Sequence, residues 1–427
     1  MKRYILNSLD SKGILELTKR PAVDFEKTYD VIRPILNEIK KDGLQAVIKY
    51  AKLYDGFSSS SVYVTEKEFL EAEESLGKKV REALESAYSN IYSFHKEEVP
   101  NNIIKETQPG ILCSREFRPI ENVGLYIPGG NAVLPSTVLM LGIPAQIAGC
   151  PRVVLCTPIK GDRINSAILY AARLCNIKEI IKIGGAQAIG LLAYGDSSFC
   201  KADKIFGPGN QYVTAAKLLV SIDPSGCPID MPAGPSELLV ISDEYANPGF
   251  IAADLLSQAE HGEDSQVVYV TTSEEKAREV EKELDFQLQL LPRKNIAEVS
   301  LIKSFILITD TLLDAVKFSN LYAPEHLILN ISQATDFIDT IQNAGSVFLG
   351  EYSPESAGDY ASGTNHSLPT SGFARSFSGV SVESFMKAIT FQSLTREGLT
   401  NIASTVETLA AEEGLFAHKN AVTIRLK

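Results

Sequence analysis

From Gly124 onward the chain is written in short apolar runs separated by segments of helical periodicity, and this alternation restricts the fold more than any other feature. "GLYIP", "RVVLCT", "EIIKIG" and "KIFG" are too short for buried helices and lack polar alternation. They read as strands covered on both faces, each followed by a helix. A second series starts at "ELLVISD" (237–243) and runs through "QVVYVTT", "SFILIT", "HLILNI" and "SVFLGE", with helices such as "SEEKAREVEKELDFQLQLL" between them. The expected fold class is α/β: two Rossmann-like but incomplete wound domains, over 121–236 and 237–374. Their common rhythm fits a duplication, although no residue-level repeat is visible.

The flanks differ. In residues 1–120, "VIRPILNEIKKDGLQAVIKYAKLYDG" and "EKEFLEAEESLGKKVREALESAYSNIYSFHKE" carry apolar positions three and four apart, which predicts a helical region packing on the second α/β domain. Residues 375–427 read as a helical tail that runs to Glu413 and breaks at Gly414. A segment this small cannot bury a core alone, so it has to pack on another unit or another chain.

Composition narrows the partners. A formal net charge of -12 argues against a general nucleic-acid binder, which needs surplus lysine and arginine to displace counterions. No apolar run is long enough to cross a bilayer, and "MKRYILNSLDSKG" has a basic pair without the apolar core of a signal peptide. The expectation is a cytoplasmic protein acting on a small molecule, with no membrane partner. The six cysteines stand singly, with no CxxC pair, and Cys150, Cys156 and Cys175 adjoin apolar runs. Reduced, mostly buried thiols without a nucleophilic role follow.

Three glycine-rich turns follow strands and open helices: "IPGGNAVLPS" (127–136), "IGGAQAIG" (183–190) and "FGPGNQY" (206–212). Unpaired N–H groups at a helix start favour an anion such as a pyrophosphate. None is G-x-G-x-x-G, and glycine there can serve only the turn. Tyr126 could stack on a ring while Gln187 and Asn210 read a base or ribose; equally, Tyr126 could fill the core and both amides cap helices.

Of five histidines, His261 stands three residues after Gln258 in "DLLSQAEHGEDS", so both project from one helix face and could hold one ion. An amide oxygen is a weak ligand, so other segments would have to contribute; Asp359 in the loop "SAGDYASGTNHS" and His418 in "EEGLFAHKNA" are candidates. In "NLYAPEHLIL", Glu325 and His326 could carry protons on one substrate, provided that the backbone turns between them, as Pro324 makes possible, to bring both to one pocket. The alternative is a surface pair. Ser236, in "DMPAGPSELLV", touches a ligand or caps its turn.

Taken together, "GLYIPGG", "GGAQAI", "KIFGPGN", "DMPAGPSE", "LLSQAEHG", "YAPEHL", "AGSVFLG" and "GTNHSLPT", in this order over about 110–427, resemble the histidinol dehydrogenase family. The resemblance implies oxidation of L-histidinol to L-histidine by two successive hydride transfers to two NAD molecules, through a bound aldehyde, at the last step of histidine biosynthesis. It implies one Zn2+ per subunit on Gln258, His261, Asp359 and His418, gripping the substrate's imidazole and amino nitrogens. His326 would take the alcohol proton and Glu325 would activate water. Ser236 and Glu413 would hold substrate, His366 would line the pocket, and Tyr126, Gln187 and Asn210 would contact NAD. It further implies an intertwined homodimer whose C-terminal tail, with Glu413 and His418, completes the neighbour's site. A zinc hydrolase would suit the same metal, Glu and His, but leaves the glycine turns without a nucleotide. A non-catalytic nucleotide-binding scaffold predicts no turnover.

Overall fold

Each apolar run named above is a strand in the computed structural model, which describes residues 1–21, 25–59, 61–129, 133–159 and 163–427. In chain order the elements begin with β1 (Lys2–Ile5), α1 (Ser11–Leu17), α2 (Phe25–Asp42), α3 (Leu44–Asp55), α4 (Glu66–Ser75), α5 (Lys78–Lys96), β2 (Ile103–Gln108) and β3 (Ile111–Pro119). The first wound unit is β4 (Asn122–Tyr126), α6 (Pro135–Ala148), β5 (Arg152–Cys156), α7 (Ser166–Leu174), β6 (Glu179–Ile181), α8 (Gly185–Tyr194), β7 (Lys204–Phe206) and α9 (Gln211–Ile222). The second is β8 (Glu237–Ser242), α10 (Pro248–Ala259), β9 (Gln266–Thr271), α11 (Glu274–Leu288), α12 (Lys294–Ile302), β10 (Phe305–Ile308), α13 (Leu312–Tyr322), β11 (His326–Asn330) and β12 (Ser346–Leu349). The chain ends with α14 (Glu355–Tyr360), β13 (Met386–Leu394), α15 (Arg396–Glu412) and α16 (Phe416–Leu426).

Both wound units form parallel sheets. The first has the order β6-β5-β4-β7 and the second β1-β10-β9-β8-β11-β12, so each repeats the winding in which the opening strand lies between the second and the fourth. The continuous apolar runs follow from burial on two faces. In the second sheet Leu238, Val240, Val267 and Tyr269 join the core beneath α10 and α11, while Leu239, Ile241, Val268 and Val270 join the core beneath α13. Helix starts are marked locally: Asn247 caps α10 just before Pro248, and Thr65 forms a capping box with Glu68 at α4.

The N-terminal region departs from the expectation of helix throughout. β1 pairs with β10 and extends the second sheet, and Ile14 and Leu17 of α1 pack on that sheet's core. Helices α2 to α5 instead cover the first unit, where Ile32, Leu36, Ile39 and Ile91 enter its core. Packing on the second α/β domain therefore holds only for the first twenty or so residues. The amphipathic faces were legible, but nothing in them chooses between two apolar surfaces.

The C-terminal tail is not helical up to Glu413 either. β13 pairs antiparallel with β3, and β3 with β2, to make a third sheet of order β13-β3-β2. Ile389 and Phe391 alternate with Thr390 and Gln392, a period of two that signals a strand. In a single chain this arm exposes Ile103, Ile104, Leu112, Ile389 and Phe391. Among the described residues no helix is long and apolar enough to cross a membrane.

Candidate active site

Proton-carrying side chains gather at the amino ends of β8 and β11, the two neighbours at which the second sheet reverses its winding. Ligands in open α/β sheets usually sit at the opposite, carboxyl ends. Glu325 and His326 are both buried, and Glu325 Oε2 lies 3.7 Å from His326 Nδ1. Two consecutive residues reach one place because Ala323 caps α13 in the left-handed conformation (φ 52°) and Pro324 then redirects the chain into β11. The sequence asked for a turn between the two residues; the turn found lies before them, at Ala323, with Pro324 following it. The backbone of Glu237 holds both groups: its N–H donates to Glu325 Oε2 at 2.8 Å, and its carbonyl lies 3.2 Å from His326 Nδ1. Ser236 adjoins this residue, half-buried.

Opposite stands α14. Asp359 belongs to this short helix rather than to a loop, and Glu355 precedes it by four residues, so both carboxylates project from one face. His326 Nε2 is 3.5 Å from Asp359 Oδ1, and His326 Nδ1 is 3.7 Å from Glu355 Oε1. A side chain at Gly358 would put its Cβ 2.5 Å from the Phe348 ring, so the absence of one lets α14 close on β12. Glu355 is the functional residue that sequence reasoning missed. Its signal was present in "ESAGDY" as two acids at helical spacing, hidden by the glycines and serines that made the segment read as loop.

Gln258 lies fully buried on the last turn of α10. Its amide is satisfied with the nitrogen donating to Glu355 Oε1 and the oxygen 3.1 Å from Glu237 N. His261 falls beyond the end of α10, exposed in the single chain, and its N–H donates to the Gln258 carbonyl at 3.2 Å. Asp359 and His326 both act on its ring electrostatically. His366 bridges the two wound units: Nδ1 is 2.9 Å from the Asp359 carbonyl and Nε2 is 3.1 Å from Thr137 Oγ1 at the start of α6. Glu413 and His418 are exposed on the α15–α16 hairpin and form no hydrogen bond or ion pair with this cluster within the chain.

The cluster is short of positive charge. Burial pushes Glu325 up to about 8 and raises Glu355 as well. Burial alone would lower His326, but the carboxylates of Glu355, Glu325 and Asp359 reverse that and push it up to about 10. Asp359, which burial would raise, is held below the carboxylate range by the imidazoles of His326, His366 and His261. His326 Nε2 and Glu355 Oε2 are buried without a hydrogen-bond partner. Among the described residues, ligand atoms of His326, Glu355 and Asp359 lie within 4.8 Å of one another. Imidazole and carboxylate donors, orphaned and over-supplied with negative charge, fit a divalent cation of the zinc type. Of the expected ligands this trio shares Asp359, with Gln258 and His261 at its edge.

The glycine turns meet at the carboxyl ends of the first sheet. Of the turn over 127–136, residues 130–132 lie outside the described residues. Tyr126 is buried at the end of β4, and its hydroxyl accepts from Gly185 N at 3.1 Å. Gln187 is buried in the first turn of α8 and donates to Asp55 Oδ2 at 2.7 Å. Asn210 caps α9 with bonds of 3.1 Å from Tyr212 N and Val213 N. At Gly207 (φ 120°) a Cβ would lie 2.1 Å from the Tyr126 carbonyl oxygen, so the turn needs glycine for close approach. The helix starts of α6, α8 and α9 converge beside the β4–β7 reversal, which suits an anion-bearing cofactor. The polar groups of Tyr126, Gln187 and Asn210 are engaged within the chain, the arrangement that the capping and core alternatives describe.

Comparison with known proteins gives consistent matches. A sequence model described as histidinol dehydrogenase matches residues 18–426. A protein named histidinol dehydrogenase from Vibrio vulnificus (strain YJ016) is 51% identical, over 100% of this chain and 99% of its own. One from Arabidopsis thaliana, named histidinol dehydrogenase, chloroplastic, is 50% identical over 100% of this chain and 92% of its own. A crystal structure of histidinol dehydrogenase from Elizabethkingia anophelis matches with a TM-score of 0.95 at 50% identity, covering 100% of this chain and 98% of that one.

Proposed function

This chain belongs to the histidinol dehydrogenase family, NAD-dependent oxidoreductases of histidine biosynthesis, and we propose that it oxidises L-histidinol to L-histidine through a bound aldehyde, with two NAD reduced and with His326 and Glu325 moving the protons. The observation that carries the reading is the buried Glu325–His326 pair facing Asp359 and Glu355.

His326 is prepared as a base. Once the carboxylates that otherwise keep a proton on His326 are offset by zinc, the neutral ring, with Nδ1 donating to the Glu237 carbonyl, would present unprotonated Nε2 to the pocket, where it takes the proton of the alcohol as hydride leaves. Glu325, which burial pushes up to about 8 and which would return to its ionised form with the neighbouring carboxylates offset by zinc, takes a proton from the water that adds to the aldehyde before the second oxidation. Burial keeps bulk water from both. Zinc, when bound, holds the imidazole and amino nitrogens of the substrate and offsets the carboxylates. Gln258, His261 and Asp359 would hold it, together with His418 of a second copy. Ser236, and Glu413 of that copy, would position substrate, with His366 behind the pocket wall.

A homodimer with shared sites accounts for two features of one chain: the apolar residues exposed on the β2-β3-β13 arm, and Glu413 and His418 standing free of the cluster. NAD would sit at the carboxyl ends of the first sheet against Tyr126, Gln187 and Asn210, outside the usual dinucleotide pose because the glycine fingerprint is absent. We place the reaction in the cytoplasm.

The test mixes purified protein with histidinol and NAD and follows NADH. The expected yield is two NADH per histidinol, abolished by a chelator and restored by zinc. Absence of NADH with zinc present overturns the reading. Inactive proteins changed at His326 and at His418 should regain activity as mixed dimers; failure after verified subunit exchange overturns the shared site.

A further inference from the structure

Arg20 belongs to none of the motifs above, yet it reaches Glu237, 217 positions away, as a two-pronged ion pair. Nε donates to Oε1 at 3.0 Å and Nη2 to Oε2 at 2.8 Å, with the two side chains only 12% and 2% exposed. The same guanidinium donates to the Thr18 carbonyl at 2.7 Å and the Ala323 carbonyl at 3.2 Å, and its carbon lies 3.4 Å from the centre of the Tyr322 ring. Ser371 N donates to Glu237 Oε1 at 2.5 Å, so the carboxylate is clamped from both sides.

These contacts do more than tie the N-terminal segment to the second sheet. The backbone of Glu237 holds the Glu325 carboxylate and the His326 ring, and Ala323 is the left-handed residue that turns the chain into both. Arg20 therefore grips the side chain of Glu237, whose backbone holds Glu325 and His326, and the carbonyl of Ala323, where the chain turns into both. We infer that Arg20 is a positioning residue for the Glu325–His326 pair, acting through Glu237 and the Ala323 turn. The inference rests on the roles proposed above for that pair. A guanidinium can meet a carboxylate with two parallel bonds, donate to two carbonyls and stack on a ring at once; an ammonium cannot.

The test uses the full-length, zinc-loaded enzyme as Arg20→Lys, Arg20→Met, Glu325→Gln and the double Arg20→Met/Glu325→Gln, with kcat and KM for histidinol, zinc content and melting temperature measured on each. Arg20→Met should lower kcat by ~10–100-fold, as loss of an outer supporting contact does, with KM and zinc content changed less than about twofold. Arg20→Lys should recover only part of the loss. Arg20→Met should slow Glu325→Gln by less than it slows the wild type, because the two changes share the Glu325 part of the contribution and only the His326 part remains to be lost. Unchanged kcat at a lowered melting temperature, or losses that multiply in the double variant, overturns the inference while Glu325→Gln still reports on the pair. Should Arg20→Met fail to fold, Arg20→Lys decides: full kcat there overturns the inference. An unimpaired Glu325→Gln overturns the assigned roles and this inference with them.

Discussion

Glu325 Oε2 and His326 Nδ1 stand 3.7 Å apart, and the backbone of a single residue, Glu237, holds both side chains. In an extended strand the two would point to opposite faces. On the proposed roles the pair divides the labour between two oxidations, so their variants should fail at different steps. On rapid mixing with histidinol and NAD, Glu325→Gln should release one NADH per site at near normal rate, then slow ~10²–10⁴-fold. His326→Asn should lose the first NADH as well. Equal impairment of both steps in both variants would contradict the division.

In the proposed metal site Asp359 should matter most to the cation, because it belongs both to the trio within one chain and to the wider expected ligand set. Asp359→Asn should weaken zinc binding by more than ~100-fold, beyond the loss typical of outer contacts. Equilibrium dialysis measures this without any assay of turnover. Glu355→Gln should weaken it less, since Gln258 can still bond the new amide. Equal affinities for wild type and Asp359→Asn would remove Asp359 from the site.

What the sequence revealed depended on where the information was local. Nine apolar runs became nine strands because burial on both faces leaves few polar positions in most of them, the edge strand β12 being less buried. β1 was invisible: "KRYI" is exposed and gains its partners only from β10, about three hundred residues later. β2, "IIKETQ", is likewise exposed along its length and is defined by pairing with β3. In the site, Gln258, Asp359, Glu325 and His326 were legible as residue types near turns. Their meeting at the amino ends of β8 and β11 was not, because strand order and helix crossing are properties of the whole sheet. Glu355 and Arg20 lay in segments that looked unremarkable for the same reason.

Thiol chemistry should be silent in catalysis. Cys156 and Cys175 are buried and their thiols pushed up strongly by burial; Cys150 and Cys227 are pushed up to about 11 and about 12 for the same reason. Cys200 is exposed. A thiol reagent near pH 7.5 should label Cys200 first, as peptide mapping by mass spectrometry would show, with NADH production intact after that first label. Rapid inactivation that tracks labelling of a single buried thiol would contradict this.

Acid should weaken the fold through His95, whose side chain is 1% exposed. Its Nε2 lies 3.1 Å from the Asn365 amide nitrogen and so accepts, while Nδ1 is buried without a hydrogen bond, 3.6 Å from Glu98 Oε2. Burial pushes the imidazole down to about 4, whereas in an unfolded chain it titrates near ~6.5. Between those values the unfolded chain binds a proton that the native protein refuses. The stabilisation is therefore complete above pH ~6.5 and is lost as pH falls toward 4, by up to about 1.4 kcal/mol per pH unit. His95→Gln keeps an acceptor for Asn365 but cannot titrate. The wild-type advantage in urea midpoint should thus shrink from pH 7 to pH 5 relative to His95→Gln. A gap independent of pH would mean that the ring titrates alike in the native protein and the unfolded chain, as it would if water reached it.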